Sequence, residues 1–193
     1  MEIQDHSRDL IYEATIEEFN EKGIKFTMDD VARRLHISKK TLYNVFKDKE
    51  ELFLKTIEYG FSAIKISEQE ILQDKNLDIA EKIRRIIIVL PDKYRNVDFR
   101  KVSGMKEKYP TLFYEVERRI ESDWEPTLNL IQQGMQEGRI KKVNPMILKA
   151  MIEATMEKFL NSDILAQNKM EYEEALNDMM EIIMGGIYEN ILE

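Results

Sequence analysis

Hydrophobic residues recur at helical spacing along almost the whole chain, and this periodicity is the feature that most restricts its fold. No stretch alternates between apolar and polar residues in the way that a half-buried β-strand would. Pro126 stands inside the longest periodic segment and must kink or interrupt it. The predicted helices cover roughly residues 4–22, 27–34, 38–47, 48–72, 78–90, 110–137, 144–161 and 171–190. The predicted fold class is therefore all-α.

Two short helices near the N-terminus begin at residues that favour helix starts. Thr27 can cap the first of them, with Asp30 reaching back in a capping box, and Ser38 can cap the second. Only residues 35–37 separate the two helices. A connection this short forces the helices to cross steeply, as they do in a helix-turn-helix.

The charge of this region differs from that of the whole chain. The formal net charge is −8, yet residues 31–49 contain six basic side chains and a single acid, a local charge of +5 that leaves −13 on the remainder. Such segregation indicates a local anion-binding face on a body that polyanions would repel. On charge alone, a chance cluster on a solvated helix is an equally good interpretation.

The predicted third helix separates its side chains into two faces when it is wound at about 100° per residue. Leu42, Val45 and Phe46 share one side and can pack on the preceding helices. The opposite side carries Lys40, Asn44 and Lys47, with Thr41 and Tyr43 on its flanks. Asn, Lys and Thr side chains can bond base edges in the major groove of DNA, and no carboxylate on this face would repel a phosphate.

Phosphate contacts are expected around this face. Thr27 and Ser38 lie at helix N-termini, where free backbone amides favour anions, although both residues can also serve only as caps. Tyr43 can alternatively be a half-buried core residue. Taken together, the pattern favours DNA binding, and the predicted DNA-binding residues are Thr27, Ser38, Lys39, Lys40, Thr41, Tyr43, Asn44, Lys47 and Lys49.

Residues 27–52, TMDDVARRLHISKKTLYNVFKDKEEL, resemble the DNA-binding region of the tetracycline-repressor (TetR) family. The shared features are the Thr that opens the second helix, the Val-Ala pair, Thr-Leu-Tyr, the Tyr-x-x-Phe spacing and Lys-Glu-Glu-Leu. Many members have glycine where this chain has His36 and Lys40, and an aromatic residue where it has Val45. Lys40 adds a cation to the reading face, so a base preference does not carry over from relatives.

The resemblance implies two domains, a helix-turn-helix DNA-binding domain over residues 1–50 and a larger helical ligand-binding and dimerisation domain over 51–193. It also implies a transcriptional regulator, with repression the expected role, that binds a palindromic operator in double-stranded DNA as a homodimer. A small hydrophobic ligand, of unknown identity, would release it. Ligand binding would shift the helices that link the pocket to the fourth helix and change the separation of the two DNA-reading heads.

Apolar stripes on the last two predicted helices support pairing with a second copy, because two such helices from each chain can form a four-helix bundle. Packing of the same stripes on the chain's own core is the alternative. The candidate dimer residues are Leu148, Ile152, Phe159, Leu176, Met179, Ile183 and Ile187.

An apolar, methionine-containing cavity in the larger domain would suit a hydrophobic ligand. For each candidate, ordinary core packing is an alternative. The candidate ligand-binding residues are Tyr94, Met105, Tyr109, Phe113, Trp124, Leu128, Ile131 and Met135.

Composition argues against several other classes. The chain has no cysteine, which excludes a thiolate zinc site and fits a reducing cytoplasm, and His6 and His36 are too few for a histidine-rich metal site. We expect no cofactor, no secretion signal, no membrane span and a cytoplasmic location. Motifs of nucleotide-binding, hydrolytic and di-iron enzymes are absent, which makes an all-α enzyme an unfavoured alternative. The other alternative is a helical module that binds an acidic partner protein.

Overall fold

The computed structural model describes residues 5–91, 94, 97, 99–102 and 104–187. Their regular structure is helical, which confirms the predicted all-α fold. The α-helices are α1 (Asp5–Lys22), α2 (Met28–Arg34), α3 (Lys39–Tyr43), α4 (Lys49–Gln73), α5 (Ile79–Ile87), α6 (Met105–Lys108), α7 (Pro110–Glu121), α8 (Glu125–Gln136), α9 (Pro145–Asn161), α10 (Ile164–Gln167) and α11 (Tyr172–Ile187). Short 3-10 turns cover Gly23–Lys25 and Phe99–Lys101. The predicted end of the last helix, near residue 190, lies outside the described residues.

The turn between α2 and α3 is closed by a Schellman motif. The His36 N–H donates to the Arg33 carbonyl at 3.1 Å, and the Ile37 N–H donates to the Ala32 carbonyl at 3.0 Å. His36 has a φ of +53°, in the left-handed region that favours glycine. Many members of the family that the sequence resembles have glycine at this position, and this backbone conformation explains why. Histidine is one of the non-glycine residues that adopt a positive φ most often.

Helix α3 is shorter than predicted, ending at Tyr43 and not at residue 47. Helix-type bonding nevertheless continues, because the Phe46 N–H donates to the Leu42 carbonyl at 3.0 Å. Leu42 and Phe46 are both buried, with Val45 packed against the same core. The predicted division between a buried and an exposed face is therefore retained.

Prolines and caps set the bounds of the longer helices. Asp48 caps the 25-residue α4 by accepting from the Glu51 N–H at 2.9 Å. Pro126 lies in the first turn of α8, and the predicted long segment is split into α7 and α8 as its position requires. Helix α5 ends at Ile87, about one turn before the predicted position.

The core forms two apolar clusters, and the first crosses the predicted domain boundary at residue 50. It joins Phe19, Phe26 and Leu42 of the N-terminal region to Leu112 and Leu160 of the larger region. The second lies among α5, α8, α9 and α11. The helix-turn-helix therefore shares its hydrophobic core with the helices that follow.

The dimer candidates pack on their own chain, which is the alternative that the sequence left open, and their role in a dimer stays a prediction. Leu148, Ile152, Leu176 and Met179 are buried in the second cluster of their own chain, and Phe159, Ile183 and Ile187 pack at its edge. The large apolar side chains exposed on α9 and α11 are instead Met146, Ile147, Met151 and Ile182. Each helix carries apolar residues on two adjacent faces, so the sequence pattern alone did not show which face points inward.

The left-handed conformation at residue 36 generates a stability prediction. His36→Gly should leave the free energy of unfolding unchanged or raise it, because glycine adopts a positive φ without steric cost. His36→Val should lower it by about 1–2 kcal/mol, because a β-branched residue is disfavoured there. Urea unfolding followed by circular dichroism measures both, and a Val variant as stable as the Gly variant would contradict the strain at this turn.

Candidate nucleic-acid interface and ligand cavity

The surface around α3 is basic and accessible. Lys39, Lys40, Tyr43, Asn44 and Lys47, here called the reading surface, are all exposed. Tyr43 keeps 45% of its surface accessible, which argues against the alternative of a core tyrosine, and the Lys39 ammonium lies 6.0 Å from its ring centroid. Thr41, on the flank, is partly buried. The reading surface therefore offers an amide, a phenol and three amines to a ligand.

The two predicted cap residues lie at the edges of this surface with their hydroxyls engaged. Thr27 Oγ1 accepts from the Asp30 N–H at 3.2 Å, and the Thr27 backbone N–H donates to Asp30 Oδ2 at 2.9 Å, which completes the capping box. Ser38 Oγ accepts from the Thr41 N–H at 3.0 Å and lies 2.8 Å from Thr41 Oγ1. Capping by both residues is confirmed, and a phosphate contact at either stays a prediction.

The two arginines of the basic segment are neutralised by nearby acids. Arg33 pairs with Asp29 at 2.9 Å, and Arg34 on α2 forms ion pairs with Glu17, Glu18 and Glu21 of α1. The local charge counted along the sequence therefore overstates the positive charge available to a partner. The positive charge that remains available to a partner comes from the lysines of the reading surface.

Two of the acids in this region are held ionised by their partners. Burial alone would raise the pKa of Glu18, but hydrogen bonds from Lys22 and Arg34 outweigh it and keep this pKa below its usual value. Hydrogen bonds from Lys22 and Thr27 lower the pKa of Asp30 to about 2. Both carboxylates therefore stay charged near neutral pH and keep α1 and α2 tied together.

Lys49 was predicted to contact a phosphate of DNA, but its ammonium packs against its own chain. Its ammonium donates to the Ile24 carbonyl at 2.6 Å and stands 4.1 Å from the Phe26 ring centroid and 5.2 Å from that of Tyr109. Burial, followed by the nearby Lys108 charge, lowers the pKa of Lys49 to about 8. This lysine ties α4 to the turn before α2, and its position favours a structural role over a phosphate contact.

A cavity of about 240 Å³ lies behind the helix-turn-helix, between α4 and the helices of the larger region. Most of its wall is apolar, including isoleucines from α4, α5 and α7. Polar groups in the wall include Thr56 and Thr127. A cavity of this character suits a hydrophobic molecule that makes few hydrogen bonds.

Charged side chains occur at one end of the cavity. Lys65 Nζ lies 2.9 Å from Glu68 Oε2 and 3.9 Å from Asp123 Oδ2. Arg119 Nε donates to Glu115 Oε1 at 2.7 Å, and its guanidinium carbon is 5.8 Å from the Phe61 ring centroid. These groups pair with one another, so this end is polar without a strong net charge.

The cavity wall contains some of the predicted ligand residues and omits others. Tyr94, Met105 and Trp124 line it. Tyr109, Phe113, Leu128, Ile131 and Met135 are not among the described residues of the wall. Phe113 and Ile131 are instead core residues, which is the alternative that the sequence left open. On α8, Thr127 lines the cavity, whereas Ile131 packs in the second cluster. The α4 residues of the wall were missed by sequence reasoning, although their spacing of three and four residues was visible.

Neither a metal-binding group of side chains nor a membrane-spanning helix is found in the part of the chain that the structure describes. Within it, no three acidic or histidine side chains are grouped so that they could hold a metal ion. None of the helices described here combines the length and apolar character needed to cross a membrane.

Comparisons with known proteins agree with this geometry. The model of the family described as bacterial regulatory proteins, tetR family, matches residues 11–56, which contain α2, α3 and the start of α4. An uncharacterized HTH-type transcriptional regulator of Bacillus subtilis, YvaF, is 24% identical over 167 residues, covering 86% of this chain and 88% of the relative.

Solved structures match over nearly the full length. A transcriptional regulator from Cytophaga hutchinsonii superposes with a TM-score of 0.69 at 20% identity, covering 96% of this chain and all of the other. The fatty acid degradation regulator FadR from Bacillus halodurans superposes with a TM-score of 0.64 at 12% identity, covering the whole of both chains. At these identities the likeness shows a shared fold.

Proposed function

Because this chain is a member of the TetR family of transcriptional regulators, we propose that it represses transcription by binding a palindromic operator as a homodimer, and that a small hydrophobic effector releases it. Members of this family are regulators and not enzymes, which removes the enzyme alternative. The proposed site of action is double-stranded DNA in the cytoplasm.

The observation that carries the DNA-binding proposal is the charge of the reading surface. Among the described residues, the neighbouring arginines pair with carboxylates, whereas Lys39, Lys40 and Lys47 form no ion pair. Free lysines can neutralise phosphates and release counterions, which supplies most of the affinity of non-specific DNA binding. A helix-turn-helix that presents such a surface fits the major groove.

Within this surface we assign different roles to different side chains. Asn44 and Lys40, exposed opposite the buried Leu42, are proposed to read base edges, with Thr41 on their flank. Lys39, Tyr43 and Lys47, with the caps Thr27 and Ser38, are proposed to contact phosphates and so to position the helix. An acidic partner protein would use the same lysines. Binding to duplex DNA that weakens steeply as the salt concentration rises would distinguish a DNA-binding protein from that alternative.

The proposed dimer surface is the exposed apolar patch on α9 and α11. Met146, Ile147 and Met151 begin α9, and Ile182 lies near the end of α11. These helix ends are close together, because the Lys141 N–H, just before α9, donates to the carbonyl of the last described residue of α11 at 2.8 Å. A two-fold axis through this patch would form a four-helix bundle and cover the exposed side chains.

The proposed effector site is the apolar cavity. Its wall includes α4, which begins directly after the reading surface, so an occupied cavity can change the position of the DNA-binding helices. The FadR structure that shares this fold is named for fatty acid degradation, and an acyl chain is one hydrophobic class that this cavity could accept.

The assignment of base-reading residues predicts a loss of sequence preference. Asn44→Ala and Lys40→Ala should each reduce discrimination between the operator and a scrambled duplex by about 1–3 kcal/mol, the value of one specific base contact. The operator is first selected by the protein from random duplexes, and titrations by fluorescence anisotropy then give both affinities. Asn76→Ala, on an exposed residue away from the reading surface, is the control. Unchanged discrimination in both variants would contradict the assignment.

The exposed patch predicts a difference between two neighbouring positions on α11. Ile182→Glu should leave the helix content unchanged but produce a monomer, because two buried carboxylates would face each other across the two-fold axis. Met179→Glu should instead unfold the chain, because Met179 is buried in its own core. Analytical ultracentrifugation with circular dichroism measures both variants. A dimeric Ile182→Glu protein would place the interface elsewhere.

A further inference from the structure

We propose that the cavity measures the length of a straight acyl chain, so that short chains bind without effect and only a chain that reaches the floor of the cavity releases DNA. This inference rests on the proposed function, since it concerns the effector of the same site. It follows from the shape of the cavity, from the polarity of its two ends and from what lies behind its floor.

The cavity is long and follows one side of α4. The α4 residues in its wall repeat at intervals of one, three and four positions, and they are Phe53, Thr56, Ile57, Gly60, Phe61, Ile64, Lys65 and Glu68. From the first to the last of them α4 advances about 22 Å at its usual rise of ~1.5 Å per residue. A space that extends this far along α4 can hold an extended apolar chain.

The two ends of the cavity differ in polarity. At the mouth, the side chains of Lys65 and Asp123 are 40% and 68% exposed, so a polar head group placed there would keep its contact with water. At the floor, Phe19, Phe53 and Met105 are almost fully buried. This arrangement orients an amphiphile with its head near Lys65 and the end of its apolar chain against the phenylalanines.

The floor is in direct contact with the helix-turn-helix. Phe53 packs against Phe19 with ring centroids 5.3 Å apart and against Phe26 at 5.4 Å. Phe26 immediately precedes Thr27, the N-cap of α2. A chain end that displaced Phe53 would therefore press on Phe26, which lies just before the N-cap of α2, whereas a shorter chain would leave this contact intact.

A glycine forms part of the cavity wall near the middle of its α4 side. Gly60 lies in the cavity wall about midway along α4 between Phe53 and Glu68, and a Cβ placed on it would be in van der Waals contact with Cε1 of Tyr94, a second wall residue, at 3.9 Å. A methyl group fits at that distance. A longer side chain at this position would occupy the passage between the mouth and the floor.

Binding and release should therefore depend differently on chain length. Each methylene that enters the apolar wall should tighten binding about fourfold, so the affinity rises steadily with length. Release of DNA should instead appear only when the chain reaches Phe53. A short chain at saturating concentration would fill the cavity without lowering the affinity of the protein for the operator.

The experiment uses the full chain with octanoic, dodecanoic and hexadecanoic acids, each below its critical micelle concentration, and with the coenzyme A thioesters of the same acids. Trp124, the only tryptophan of the chain, lines the cavity, so its fluorescence reports binding. Anisotropy of a labelled operator, selected as above, reports release. Comparing the acids with the thioesters distinguishes a free carboxylate from a thioester head, since both present the same chain.

Blocking the passage gives the decisive comparison. In Gly60→Leu, the hexadecanoyl chain should bind no more tightly than the octanoyl chain and should fail to release DNA. Ser62→Leu adds the same side chain on an exposed part of α4 outside the cavity wall, and it should behave as the unmodified protein does. If Gly60→Leu fails to fold, Gly60→Met, whose unbranched side chain adapts more easily to its surroundings, should weaken binding of the longest chain more than that of the shortest.

Three results would overturn the inference. One is full release of DNA by saturating octanoate, and another is a dependence of affinity on chain length that is unaltered at Gly60. The third is the absence of binding by every acyl chain. Operator binding in the absence of ligand tests the DNA-binding part of the proposed function, and its outcome does not depend on any of these three ligand results.

Discussion

The packing of Phe53 against Phe19 and Phe26 is the contact on which the rest of this arrangement depends. Each aromatic pair contributes about 0.5–1.5 kcal/mol beyond the burial of its surface. The same ring belongs to the core of the helix-turn-helix and to the wall of the cavity. In the proposed mechanism, a change at the cavity floor would shift α1 or α2, because the two regions share one continuous core. The proposed communication between the cavity and the DNA-binding helices would then follow from their shared packing.

Electrostatics then determines which part of this acidic protein can approach a polyanion. The acids of α1 that surround Arg34 hold α2 against α1. They also neutralise the positive charge of Arg34, which a count along the sequence includes in the charge available to DNA. With the pKa of Glu18 lowered by Lys22 and Arg34, this cancellation persists at neutral pH. The net negative charge of the chain opposes approach of DNA to the acidic parts of the body, which favours approach through the reading surface.

The sequence was most informative where local chemistry decides the structure. The caps at Thr27, Ser38 and Asp48 and the break at Pro126 were predictable, because each depends on the hydrogen bonds or ring of that residue alone. Choices between faces of one helix were not predictable, since they depend on what packs there from distant parts of the chain. Ile152 faces the core while its neighbour Met151 is exposed, and periodicity alone gives both the same weight. The position of Lys49 was missed for the same reason, because the Ile24 carbonyl that it meets is 25 residues away.

In the proposed interaction with DNA, the free lysines of the reading surface, and not the paired arginines of α2, neutralise the phosphates. The salt dependence of operator affinity tests this proposal most directly, because its slope counts the phosphates that are neutralised. Lys47→Ala should flatten the plot of log affinity against log salt by about 0.9 for each protomer bound, whereas Arg33→Ala, which removes a cation already paired with Asp29, should leave the slope unchanged. A slope that is unaltered by Lys47→Ala and reduced by Arg33→Ala would contradict the account.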